Sequence, residues 1–401
     1  MLAVMLELFY LLAGLQILAG LYLAADGVRW LAYLRQRMRS HSGFYAPRVA
    51  VLCPCKGLEA GLEQNLRALC EFDYPNYEVF FILAAAADPA HGILQRVIEG
   101  AKNKAHMVIA GAPVDCGEKV NNLRVALEQL PEEFEVFVFA DSDGRPGRHW
   151  LQQLVAPLND PKLGAATTMR WFLPARDNLA TALLAAWNAP VVTLLGNPHR
   201  NFCWGGGTAI RRDVFLQARI YEEWRTSLSD DYSMTRMLQH AGKPILFVPE
   251  CLTPSFPATD FAGLLEFTNR QMLITRVYAP NMWWRAVATH LLYCATLLLG
   301  AGLVLSNLIA SRPALHLAML TPFPLVLATI RGVQRTTGVS ELLPAWKAQI
   351  MDLAWVWTLL ALVVPFLYLL NFAATAFTRT LRWRGIRYRL ISPNQTKILP
   401  G

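Results

Sequence analysis

Charged side chains are scarce in this 401-residue sequence, at 16% of residues, where soluble domains average roughly 25%. Hydrophobic residues reach 54%. The apolar excess is concentrated rather than spread, which excludes a disordered chain and argues against an ordinary cytosolic enzyme. Residues 286–310, 313–330 and 353–377 contain no Asp, Glu, Lys or Arg at all. No basic residue precedes the first apolar run, 2–25, whose one acid is Glu7. A secretory signal peptide starts with a positive region and a shorter apolar core, so this run reads as a retained membrane helix. The seven cysteines, at 53, 55, 70, 116, 203, 251 and 294, include no CxxC pair and have no accompanying histidine cluster. That spacing excludes a zinc knuckle and a redox motif, leaving small buried hydrophobes. There is no internal repeat and no low-complexity segment.

What is present begins with basic residues directly after the first apolar run: Arg29, Arg35, Arg37, Arg39 and Arg48. By the positive-inside rule the N-terminus faces out and the following chain starts in the cytoplasm. Pro322 and Pro324 interrupt the middle C-terminal run, predicting a kinked or partly protein-buried helix. The tail carries Arg379, Arg382, Arg384, Arg387, Arg389 and Lys397 with no acid, which places it on the cytoplasmic side near anionic lipid. One entering helix and three further crossings would instead put that tail outside. Either one C-terminal run is re-entrant or interfacial, or a further crossing exists. The division expected is a transmembrane helix over 1–34, a globular domain over 47–280, transmembrane helices over 284–377 and a basic tail over 378–401.

The net charge of +8 is compatible with nucleic acid, anionic lipid or an anionic substrate. The basic residues flank apolar runs instead of forming a stripe interleaved with aromatics, which argues against nucleic acid. Within 47–280, short β-rich runs at 49–53, 79–83, 107–110, 136–140, 165–169 and 245–248 alternate with helix-period stretches at 61–69, 92–101, 119–130 and 150–158. Such alternation predicts an α/β fold with a mostly parallel sheet. Ligands of such sheets bind beyond the carboxyl ends of strands.

Acids stand at those ends. The run 136–140 leads into Asp141-Ser142-Asp143, two carboxylates able to reach one hard cation that would neutralise a diphosphate. Asp88, before Pro89, follows the run 79–83 and reads either as turn chemistry or as an acceptor for a nucleotide base or ribose. Ser229-Asp230-Asp231-Tyr232 precedes a helix; an Asp there caps the helix or serves as a general base. Gly205-Gly206-Gly207-Thr208 permits close backbone approach to a ligand, or marks a flexible turn. Lys119, Asn121 and Asn122 open a helix and could meet phosphate or sugar.

Taken in order, Asp88, Asp141-Ser-Asp143 and Asp230-Asp231 in a membrane-anchored α/β chain resemble a family 2-type glycosyltransferase of the GT-A fold. Pro54-Cys55-Lys56-Gly57, Glu118-Lys119-Val120-Asn121-Asn122-Leu123 and Asp231-Tyr232 are similar to segments of the ceramide glucosyltransferases of family 21 and their bacterial lipid- and hopanoid-glycosylating relatives. Arg331-Gly332-Val333-Gln334 and the tail segment from Trp383 to Leu390 are similar too, so the likeness runs from about 47 to 392. The family's (Gln/Arg)-x-x-Arg-Trp motif is degenerate here, reading Arg270-Gln271-Met272-Leu273-Ile274. That departure argues against a processive polysaccharide synthase. Asn188 stands where the ceramide enzymes carry a histidine, and His199 is out of register.

The resemblance implies inverting, metal-dependent transfer of a hexose, glucose from UDP-glucose first, to a hydroxyl of a lipid such as ceramide, at the cytoplasmic face of a membrane that the bacterial relatives make a bacterial inner membrane. It implies Asp231 as catalytic base, and Asp141 and Asp143 as ligands of Mg²⁺ or Mn²⁺. Lys56, Asp88, Lys119, Asn122, Asp141 and Arg270 would bind the donor, with Gly206, Gly207, Thr208 and Asp230 in the loop that meets acceptor or donor. The expected partners are a UDP-hexose, a lipid acceptor and the bilayer, without nucleic acid. A processive synthase would differ by releasing long polymer, and a non-catalytic membrane scaffold by tolerating loss of the acids.

Overall fold

The computed structural model describes residues 2–40 and 43–400. The chain divides into an α/β unit (Leu34–Asp177, Leu194–Thr259 and Arg379–Gly401) and a helical unit (Met1–Tyr33, Asn178–Thr193 and Asp260–Thr378).

The α/β unit is organised on β1 (Val49–Pro54), β2 (Tyr77–Leu83), β3 (Ala105–Ile109), β4 (Val136–Ala140), β5 (Ala165–Thr167), β6 (Arg170–Phe172), β7 (Gly207–Arg211), β8 (Ile245–Phe247) and β9 (Thr253–Ser255). Seven of these form a sheet in the order β3-β2-β1-β4-β7-β5-β8. All run parallel except β7, which is antiparallel to both β4 and β5. The mostly parallel α/β sheet expected from the sequence is therefore present, and all six predicted strands lie in it. Strand β4, Val-Phe-Val-Phe-Ala, is buried along its whole length, as a central strand covered on both faces must be. Alternate residues feed two cores. Val49, Val51, Val136 and Val138 pack with Leu66 and Trp150 on one face. Ala50, Leu52, Phe137 and Phe139 pack with Phe215 and Trp224 on the other. Strand β7 was not foreseen: its five residues start inside the glycine run, which reads as a turn. The short pair β6 and β9 forms a separate parallel ribbon.

The basic tail is folded, as the antiparallel strands β10 (Thr380–Trp383), β11 (Ile386–Ser392) and β12 (Gln395–Leu399). Arg384 and Gly385, at φ 50° and 85°, make the two-residue turn between paired Trp383 and Ile386, the positive-φ geometry that a tight hairpin needs. Along β11, Tyr388 and Leu390 are buried while Arg387 and Arg389 are exposed. The pattern conceals a strand in a segment whose net charge dominates its appearance.

Among the described residues three helices, Leu2–Arg39, Pro280–Ile309 and Leu315–Leu342, are each long and apolar enough to cross a membrane. At 1.5 Å per residue the 38-residue first helix runs about 57 Å, well beyond a hydrocarbon core of about 30 Å. Pro322 caps the helix Phe323–Leu342 and Pro324 sits in its first turn, so the prolines break the span where the sequence predicts a kink. Ala354–Leu362 and Val364–Ala376 form a further pair bent by 61°. Residues 178–193, expected within the globular domain, supply the helical unit with the apolar helix Leu179–Asn188. Its Trp187 stacks on Tyr368 at 4.8 Å and donates to Asn371 Oδ1 at 3.1 Å.

Candidate active site

The end of β4 is the centre of the site. Asp141 follows the strand directly, and the pairing of Ala140 with Gly207 draws the glycine turn alongside it. The helix Glu118–Gln129 brings Lys119 in from a third direction. Its Nζ lies 2.8 Å from Asp141 Oδ1, 3.1 Å from Asp230 Oδ2 and 3.1 Å from the Gly205 carbonyl oxygen. One ammonium thus ties together four segments distant in sequence. A Cβ on Gly205 would strike Asp230 Oδ2 and stand 2.7 Å from Lys119 Nζ; one on Gly206 would stand 2.7 Å from Asp141 Cγ. The glycines are required here because the carboxylates occupy the space that side chains would fill.

Electrostatics follow from this packing. Burial opposes charge on Lys119, but Asp141, Asp230 and Asp231 outweigh it and hold the ammonium above its ordinary range. Burial likewise disfavours the Asp141 carboxylate, yet Lys119 and Arg170 keep it below the usual range. Asp230 is pushed up to about 6 by burial, which Lys119 offsets only in part while Asp231 adds to it. The N-cap of the helix Asp230–His240 is Ser229, which accepts from Tyr232 N. Neither Asp therefore serves as the cap. Asp231 Oδ1 accepts from Ser229 Oγ and, at 2.8 Å, from Tyr232 N.

Arg170, at the start of β6, donates to Asp143 Oδ2 at 2.7 Å and stands 3.9 Å from Asp141 Oδ2. Its guanidinium lies over the rings of Phe172 and Trp204. Between the two acids, Ser142 donates from Oγ to Glu59 Oε2 at 3.2 Å, and its carbonyl accepts from Asn65 Nδ2 at 3.2 Å. Glu59 also receives the guanidinium of Arg384 from the tail hairpin. Arg170, Glu59 and Arg384 were missed in the sequence. The strand-end rule covers Arg170, which directly follows the predicted run 165–169; Arg384 stands out only as part of the family-like segment from Trp383 to Leu390, and nothing local marks Glu59.

The remaining predicted residues of this unit follow β1 and β2 (Lys56 and Asp88) or lie on the helix Glu118–Gln129 (Asn122) and in β7 (Thr208). Asp88 Oδ1 accepts from Gly57 N at 2.9 Å and Ala90 N at 2.8 Å, so it braces a turn with one oxygen. Lys56 Nζ pairs with Glu118 Oε1 at 2.7 Å, next to Lys119. Asn122 is buried one turn along that helix, with Oδ1 lacking a hydrogen-bond partner among the described residues. Thr208 is fully buried, its hydroxyl bonded to the Trp204 carbonyl and the Thr167 hydroxyl, and it braces the turn from behind. Arg270 and Asn188 belong to the helical unit, where Arg270 lies over the Phe267 ring.

Among the described residues no group of three or more His, Cys, Asp or Glu is placed to hold a metal ion. Asp143 Oδ1, however, is buried without a hydrogen-bond partner among the described residues, and two carboxylates completed by substrate phosphates and water suit Mg²⁺ or Mn²⁺. The residues fit an ion shared with a bound diphosphate.

A sheet whose strand ends carry converging acids, an ammonium and close-approaching glycines is the arrangement of an enzyme that handles a charged substrate. Residues 13–396 match the model of glycosyl transferase family 21, and the chain belongs to that family. Among solved structures, it is similar to a mannosyltransferase, PcManGT from Pyrobaculum calidifontis, determined in complex with GDP-Man and Mn²⁺. The identity is 17%, covering 90% of this chain and 99% of that one, with a TM-score of 0.46. It is also similar to residues 1–349 of S. aureus TarS, at 13% identity, 88% and 99% coverage and a TM-score of 0.36.

Proposed function

We propose that this glycosyltransferase moves a hexose, glucose from UDP-glucose first, onto the hydroxyl of a membrane lipid such as ceramide or a related bacterial lipid, with inversion. The observation that carries the reading is the gathering of Asp141 and Asp230 on the Lys119 ammonium, with Asp143 and Asp231 beside them in the chain. In the transfer, the acceptor oxygen attacks the anomeric carbon while Asp231 takes its proton. The bond from that carbon to the diphosphate oxygen breaks, and the electron pair leaves with the nucleoside diphosphate. One base suffices, unlike the two flanking carboxylates of a glycosidase. Asp231 suits the role because it is only partly buried and only Oδ1 makes hydrogen bonds among the described residues. Lys119 and Arg170 hold the acids in place and keep Asp141 ionised. Mg²⁺ or Mn²⁺ on Asp141 and Asp143 would neutralise charge on the leaving diphosphate. Asp88 Oδ2 would face the nucleoside.

The tail strands belong to the α/β unit, which supports a sidedness argument. Both ends of the segment 260–378 must emerge on one side, so that segment crosses an even number of times. We infer that Pro280–Ile309 and Leu315–Leu342 cross, and that the bent pair after them is re-entrant. On this reading the basic flanks put the α/β unit on the cytoplasmic face, with the tail on the same side.

Incubating membranes that contain the protein with radiolabelled UDP-glucose, UDP-galactose, UDP-N-acetylglucosamine and GDP-mannose, then identifying the labelled product by mass, tests the reading. A single sugar on a lipid is expected; long polymer would point to a processive synthase, and no labelled product would refute transfer.

A further inference from the structure

We propose that the C-terminal hairpin is a working part of the donor site, with Arg384 a positioning residue that fixes the Asp141–Asp143 turn through Glu59. The guanidinium donates to the Lys56 carbonyl at 2.8 Å and to the Glu59 carboxylate. The other Glu59 oxygen accepts from Ser142 Oγ at 3.2 Å, and Ser142 is the residue between the two acids. From the far side, Asn65 holds the Ser142 carbonyl and is itself held by Arg145 Nε at 3.1 Å. The turn is therefore clamped on two sides, and one clamp comes from the end of the chain.

The hairpin is itself fastened where the site is built. Tyr388 is 1% exposed, and its hydroxyl accepts from Glu118 N at 3.2 Å, at the head of the helix that carries Lys119. Thr396 N donates to the Thr226 carbonyl at 3.0 Å, and Thr226 Oγ1 donates to the Asn394 carbonyl at 2.7 Å. Thr226 lies just before the Ser229–Asp231 segment. The sheet thus spans loops leading to Lys56, Lys119 and Asp231 and projects Arg384 from its first turn. The positive φ at Arg384 is what the two-residue turn requires, and that turn directs the guanidinium to Glu59. An ordinary exposed ion pair would have no effect on donor binding.

The inference rests on the reading that the acids bind a nucleotide sugar. Its test is calorimetric binding of UDP and of GDP, with Mn²⁺, to the full-length protein in detergent, beside thermal unfolding. Arg384→Ala and Glu59→Gln should each weaken nucleotide binding by about tenfold, the cost typical of removing a group that orients a metal-binding carboxylate. The double variant should be little worse than either alone, because both break one chain of contacts. Arg384→Lys should recover part of the loss. Arg387→Ala, exposed on the same sheet, should bind as the unaltered protein does. Unchanged binding in Arg384→Ala would overturn the proposal, as would a loss that Arg387→Ala shares together with an equal fall in unfolding temperature. Failure of the unaltered protein to bind either nucleotide would instead remove the donor-site reading, and this inference with it.

Discussion

The Nζ of Lys119 lies 2.8 Å from Asp141 Oδ1, and the same ammonium reaches the buried Asp230 at 3.1 Å. Lys119 is therefore first of all the counter-charge of the site. Replacing it with Met leaves two poorly solvated carboxylates facing each other. Removing one partner of a buried ion pair costs about 3–5 kcal/mol, so Lys119→Met should lower the thermal unfolding midpoint by several degrees and abolish nucleotide binding. A variant with unchanged unfolding would show that the pair contributes no stability.

Gly205 tests the close approach of backbone and carboxylate. Gly205→Ala should weaken both stability and activity, because the new methyl meets the Asp230–Lys119 pair; forced overpacking costs about 1–3 kcal/mol. Gly147→Ala, whose methyl would meet nothing within 4 Å among the described residues, should be silent. Calorimetric unfolding of the two variants decides the matter.

Asp230 gives a pH signature. Its folded pKa of about 6 stands above the ordinary aspartate value of 3.8, so between these values the folded state holds the proton more tightly than the unfolded state. Stability from this group is complete below about pH 4 and is lost as pH rises through 6. The loss is on the order of 2–3 kcal/mol. Asp230→Asn should remove that fall, so the difference in unfolding midpoint between variant and unaltered protein should widen in favour of the variant from pH 4 to 7. A constant difference would mean that Asp230 is not the titrating group.

Much of this was legible in the sequence, and what was not has physical causes. Short apolar, β-rich runs disclosed six of the seven strands of the main sheet, because a doubly covered strand must be apolar throughout. Strand β7 escaped since Gly207 and Thr208 carry no strand signal, and its place is fixed by pairing with β4 and β5. The acids were found by their position after strands. Their counter-ions were harder: Lys119 reads as a phosphate ligand in isolation, and only the fold brings Asp141 and Asp230 to it. Arg384 was counted among tail charges, because contact with Glu59, 325 residues away, leaves no local trace.

Topology has its own test. The native cysteines are all buried, so single exposed cysteines can be read against a low background. Cysteines introduced at Arg312 and Lys397 in sealed membrane vesicles should react with an impermeant maleimide from opposite sides. Labelling from the same side would contradict two crossings and a re-entrant bent pair.

The most direct test of the central claim is lipid-directed sugar transfer by Asp231→Asn, measured beside binding of UDP with Mn²⁺. Loss of a general base costs about 10²–10⁴-fold, so transfer should fall by that factor while nucleotide binding stays within a few-fold of normal. Transfer at the unaltered rate, or loss of binding in step with activity, would contradict the account.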